Sequence, residues 1–160
     1  MDFQVLYVYQ LMINEEGKTF AQVKIIYIDE LPIKEISLIE QEVFVRKADL
    51  MLELNTKLQT LKQRFIKELN LEKVTTKIQN FETLEFDEFV KEFTKAKKIK
   101  FENKLAERKF KEEWQELFEY DKQKALELQS QINKTDKEID AMVYELYGLS
   151  EDEIKIVEGV

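Results

Sequence analysis

The sequence contains no cysteine and no histidine. Without thiols there is no disulfide, no cysteine nucleophile and no thiolate for a metal; without imidazole the usual base near neutral pH and the usual zinc ligand sets are missing too. Most catalytic chemistries at pH 7 are thereby excluded. Proline occurs once and glycine three times in 160 residues, several-fold below the norm for a globular chain, so long unbroken helices are expected and turn-rich β architecture is not. No apolar run approaches the roughly 18 residues of a membrane span, and no charged-then-apolar leader precedes a cleavage site. A soluble, cytoplasmic chain without a membrane partner is expected.

Charge is what the chain has in quantity: 36% of residues are Asp, Glu, Lys or Arg, and the net charge is −8. An even spread would argue against nucleic acid. Yet between Lys91 and Lys111 nine basic residues face only three acids, so this segment is +6 and the remainder −14. Lysine and arginine on a helix or loop neutralise phosphates and release counterions, giving affinity without sequence reading. Lys95, Lys97, Lys98, Lys100, Lys104 and Arg108 are the candidate contacts to DNA phosphate. The commoner fate of such a run is a solvated helix face.

Along the chain, residues 3–13 (FQVLYVYQLMI) are almost wholly apolar, and 20–28 (FAQVKIIYI) are rich in β-branched and aromatic residues, with a turn at 14–18 between them. Taken locally this is a β-hairpin; the second run reads as strand or extended chain and the first stays open between helix and strand. Pro32 ends the segment, because it lacks an N–H and pushes Leu31 toward extended geometry. Ser37 and Glu40 then form a capping box. From Leu38 to about Leu69 nothing breaks a helix, and Phe44, Ala48, Met51, Leu54, Leu58, Leu61 and Phe65 make a heptad-like seam. Such a seam requires a partner helix. Lys104 to Ile132, with Phe110, Trp114, Leu117, Ala125, Leu128 and Ile132 on one stripe, supplies it in an antiparallel pair; Asp121 on that stripe marks a weak spot or break. The far end holds a polar, loosely helical stretch at 70–80, and a short amphipathic helix carrying Phe86, Phe89, Val90 and Phe93. Trp114 and these phenylalanines could stack on bases, but helical spacing makes them core.

The last 25 residues of interest, Thr135 to Gly159, read as two short helices and a turn. Thr135 with Glu138 is a second capping box, and Ile139, Met142, Val143, Leu146 and Tyr147 follow at helical spacing. Gly148 suits a left-handed ending, with Leu149 folding back. Ser150 with Glu153 caps a last helix carrying Ile154 and Val157.

The wording of this stretch, EIDAMVYELYGLSEDEIKIVE, resembles the extreme C-terminus of the TaqI-like C-terminal specificity domain of type IIG restriction–modification enzymes, chains that also carry an N6-adenine DNA methyltransferase. YIDELPIKEIS, at 27–37, is a second point of resemblance: in that family an LPI step leaves the recognition region for a long helix, followed by a stretch such as Gln41-Glu42-Val43-Phe44. The resemblance implies duplex DNA and the rest of a parent chain as partners. It also implies that S-adenosylmethionine and magnesium belong to the parent's other portions, with no cofactor held here. Met1 would then open a segment cut from something larger.

Catalysis within these residues has little to stand on. The methyltransferase motif at the target base needs two prolines, and there is no glycine-rich loop. The E-x-K triplet of metal-dependent nucleases occurs at Glu16–Lys18, Glu102–Lys104, Glu107–Lys109 and Glu153–Lys155, and four occurrences in so Glu/Lys-rich a chain show how cheap it is. The expectation is a mainly α fold: an extended element over 1–36, a long antiparallel helical hairpin over 37–134, and a closing segment of two short capped helices over 135–160. Its expected role is non-catalytic DNA binding and spacing. A coiled-coil interaction module, dimerising through the 38–69 seam, is the alternative.

Overall fold

A computed structural model describes residues 33–159. The expectations for the runs at 3–13 and 20–28, the turn between them and Pro32 lie outside the described residues. Five α-helices and one 3-10 turn make up the rest: α1 (Leu38–Leu69), α2 (Thr76–Gln79), the 3-10 turn Phe81–Thr83, α3 (Phe86–Lys97), α4 (Lys104–Tyr147) and α5 (Glu151–Glu158). The described residues contain no strand. The mainly helical hairpin expected from the sequence is the observed architecture. The chain forms two compact units, Phe44–Glu138 and Met1–Val43 with Ile139–Val160.

In the Phe44–Glu138 unit α1 and α4 pack against each other, because each carries an apolar stripe that water would penalise. Leu54, Leu58, Phe65 and Leu69 are the buried positions of α1. Three to four residues separate the first three from their neighbours on the seam, and Ala48 at its start stays exposed. The core is densest where α1, α3 and α4 meet. Phe65, Phe81, Phe89 and Phe118 are completely buried there. Phe118 stacks on Phe89 at 4.6 Å between centroids, Phe65 on Phe81 at 4.0 Å, and Phe93 meets Trp114 edge-on at 4.8 Å. Each phenylalanine so buried contributes about 1.5–3 kcal/mol by transfer alone, and good ring geometry adds about 0.5–1.5 kcal/mol per pair. Ile78, on the single turn of α2, is buried as well; the Thr75 side chain caps that turn by accepting the Ile78 N–H at 3.3 Å.

Two expectations along α4 are corrected. Asp121 does not break the helix, which runs 44 residues without interruption; its carboxylate accepts a hydrogen bond from Arg64 at 2.5 Å across the hairpin. Thr135 is not an N-cap. It lies inside α4, buried, and its hydroxyl donates to the Gln131 carbonyl one turn back at 2.9 Å. Glu138, its expected capping partner, forms an ion pair with Lys47 of α1 instead, which pulls the Glu138 carboxyl below its ordinary range.

In the other unit the remaining caps stand as read from the sequence. The Ser37 N–H donates to the Glu40 carboxylate at 2.9 Å and the Glu40 N–H to the Ser37 hydroxyl at 3.3 Å. Gly148, at φ 66°, ends α4; the Gly148 N–H donates to the Glu145 carbonyl and the Leu149 N–H to the Tyr144 carbonyl, the paired bonds of a Schellman ending. Ser150 and Glu153 exchange hydrogen bonds to open α5. Lys34 ties the segment before α1 to the end of α4: its N–H donates to the Tyr147 hydroxyl at 3.3 Å and its Nζ to the Leu146 carbonyl.

Candidate nucleic-acid interface

The basic segment occupies the end of the hairpin where α3 stops and α4 starts. α3 is amphipathic, with Phe89, Val90 and Phe93 buried and Lys91 and Lys95 exposed. Lys98 follows in the left-handed conformation, φ 57° and ψ 32°. The Lys98 N–H donates to the Lys95 carbonyl and the Ile99 N–H to the Thr94 carbonyl, closing α3. Beyond it the side chains alternate: Ile99 and Phe101 are half-buried, Lys100 and Glu102 exposed. Phe101 packs on Phe110 at 5.3 Å, which pins the turn to α4. Asn103 then caps α4, its side-chain oxygen accepting the Ala106 N–H at 2.9 Å.

The six candidate contacts divide by what they touch. Lys97 is committed to the fold. Its Nζ donates to the Leu69 carbonyl at 2.8 Å and the Asn70 carbonyl at 3.2 Å, and lies over the Phe93 ring. It thus satisfies the orphan carbonyls at the end of α1 and sets that end against α3. Arg108 pairs with Glu112 one turn on, at 2.7 Å. Lys111, also in the basic run, bonds Asp87 at 3.0 Å and Glu107 at 3.3 Å; the bond to Asp87 raises the lysine and lowers the aspartate from their ordinary values. By contrast, Lys95, Lys98, Lys100 and Lys104 are exposed and make no ion pair among the described residues, and the same holds for Lys91 and Lys109.

The fold adds Lys67 and Lys73, which the sequence reading passed over. Lys97 holds the end of α1 in place, so the last turn of α1 and the turn after it share this end of the hairpin with the basic run. Both lysines are exposed. Glu68 and Glu72 lie between them, so the net positive charge resides in 91–111. Only the three-dimensional course of α1 could have shown this; along the sequence the two lysines are some 20 residues from the run.

The surface is positively charged and backed by the aromatic core. Among the described residues no group of three or more acidic side chains is placed to hold a metal ion, and no helix is long and apolar enough to cross a membrane. Of the aromatics expected to be core, Phe89 and Phe93 are buried and out of reach of a base, and Phe86, Phe110 and Trp114 pack against the core half-buried.

No curated protein and no solved structure matches the chain. A family model matches residues 37–143, from the serine that caps α1 through nearly all of α4, and takes in the whole basic segment. The match leaves out most of the C-terminal wording that carries the resemblance to type IIG enzymes, and the family's description states no activity or ligand. On that match the chain belongs to the family described as Domain of unknown function (DUF8810).

Proposed function

We propose that this chain is a non-catalytic DNA-binding element that grips the phosphate backbone of duplex DNA through the α3–α4 end of its hairpin. It would serve as the C-terminal part of the specificity region of a type IIG restriction–modification enzyme, positioning DNA for chemistry performed elsewhere in the parent chain. The observation that carries the reading is the set of exposed lysines without an ion pair at 95, 98, 100, 104 and 109, held over an aromatic core. A solvated helix face in a chain this rich in glutamate would be laced with ion pairs, as Arg108–Glu112 and Lys124–Glu127 are. These five are not.

Binding of this kind weakens steeply with salt, by about 0.9 log units of affinity per log unit of salt for each phosphate contacted. Fluorescence anisotropy with a labelled duplex tests it. Replacing Lys95, Lys98, Lys100 and Lys104 together by glutamate is expected to abolish measurable binding at 0.1 M salt, with helicity unchanged. Unaltered affinity in that variant would overturn the assignment.

The interaction-module reading retains one observation in its favour. Val45 and Leu52 on α1 are exposed, one heptad apart, a spacing that places them on a common face. The seam from Leu54 to Leu69 is already filled from within the chain. A stable dimer in sedimentation, dissociated by changing Val45 and Leu52 to lysine and indifferent to DNA, would favour this reading over the first.

A further inference from the structure

Four of the described helices end on a residue whose own amide is bonded back into the last turn while its backbone takes the left-handed conformation. Gly148 does so after α4 at φ 66°, Gly159 after α5 at φ 73°, and Lys98 after α3 at φ 57°. At this position glycine is the preferred residue, since a Cβ crowds the following carbonyl. Both described glycines are used this way. α1 ends on Asn70 at φ 46°, and asparagine is the side chain that best tolerates the left-handed region after glycine. Lys98 is the exception, and it stands in the middle of the basic run.

Two local explanations for a lysine there are weak. A cation at a helix C-terminus interacts favourably with the helix dipole, but Lys95 and Lys97 already occupy the last turn of α3. Lys98 also makes no ion pair or hydrogen bond through its side chain, being exposed and unpartnered among the described residues. Its position is distinctive in another way. Lys91 and Lys95 follow at i and i+4, hence on one face of α3, and Lys98, just past the helix, begins the turn that leads to Lys100 and Lys104. The left-handed residue therefore joins the lysines of α3 to those of the turn in one surface.

We propose that Lys98 is the anchoring phosphate contact of this surface, kept in a strained backbone conformation for its charge at some expense in stability. The inference rests on the DNA-binding reading and names the residue on which that reading most depends. The test compares the full 160-residue chain with its Lys98→Gly and Asn70→Gly variants, by thermal melting and by anisotropy with a labelled duplex across salt concentrations. Both variants relieve a left-handed side chain, and each is expected to raise the melting midpoint by about 2–4 °C. Only Lys98→Gly is expected to weaken binding, by roughly eightfold at 0.1 M salt, and to reduce the salt slope by about 0.9. If Lys98→Gly binds as the unaltered chain does, or melts below it, the proposal is overturned while the DNA-binding reading survives. If the unaltered chain binds no duplex, that reading fails and this proposal falls with it.

Discussion

Asp121 is completely buried, and only one of its two carboxylate oxygens has a partner. Oδ1 accepts from Arg64 at 2.5 Å, whereas Oδ2 has no hydrogen-bond partner among the described residues. The pair is asymmetric: the aspartate is sealed between Phe118 and Ala125 on the buried stripe of α4, while the Arg64 side chain is 55% exposed. Removing the arginine leaves a buried charge with nothing to answer it, the expensive half of any buried ion pair. Arg64→Ala is expected to destabilise the chain by about 2 kcal/mol, less than for a fully enclosed pair because water can enter where the arginine stood. Replacing both residues, Arg64→Ala with Asp121→Leu, should recover most of that loss, since leucine completes the apolar stripe. Urea denaturation followed by far-UV circular dichroism measures both. A double variant no more stable than the single one would show that the carboxylate matters for something other than its pairing.

At the scale of the element, capping and paired carboxylates contribute to the response to acid. The Ser37 hydroxyl and N–H hold Glu40 below its ordinary pKa, and the Ser150 N–H and hydroxyl do the same for Glu153. Asp87 is lowered by Lys111 and Glu138 by Lys47. A carboxylate whose pKa is lower in the folded chain stabilises the fold fully above its free value, about 4.3 for glutamate. That stabilisation is lost as the pH falls through the folded value. Helicity and melting temperature should therefore be flat from pH 7 to about pH 5 and decline below about pH 4. With Glu40 and Glu153 both changed to glutamine, which can still accept the capping bond, the decline should be shallower. An equally steep decline would assign acid sensitivity to other groups. These ends also show what was legible in the sequence. Ser37, Gly148 and Ser150 were readable because a non-helical residue precedes or follows each. Thr135–Glu138 has the same local spelling but no breaker upstream, so α4 runs through it and the hydroxyl bonds back to Gln131. The seam spacing fixed α1 from Leu38 to Leu69. Phe81 was missed because it sits in a 3-10 turn too short to show a period, while Ile78 stands on one helical turn inside a stretch read as polar and loosely helical. Within the basic run, charge alone could not separate Lys97, which caps α1, from Lys98 beside it.

Over the described residues of the whole molecule, burial is concentrated in one unit, and local stability should follow it. Every residue of the buried hydrophobic cluster lies between Leu58 and Ala125, within the Phe44–Glu138 unit. That unit also carries 21 basic against 19 acidic residues, a net +2, which leaves −10 for the other. α5 buries no residue at all and is held by its Ser150 cap and a Gly159 ending. Amides open with free energies that track local packing, from near zero at exposed ends to the global value in the core. Hydrogen exchange monitored by mass spectrometry should accordingly find the slowest amides at 58–69, 86–93 and 114–125, and the fastest helical ones at 153–158. Salt should distinguish the two units as well, because screening relieves like-charge repulsion where net charge is large and does little where the signs nearly balance. Raising salt from 0.05 to 0.5 M should slow exchange at 153–158 and leave 58–69 almost unchanged. Uniform protection across α4 and α5 at both salt concentrations would mean that the terminal helix draws stability from contacts beyond its caps.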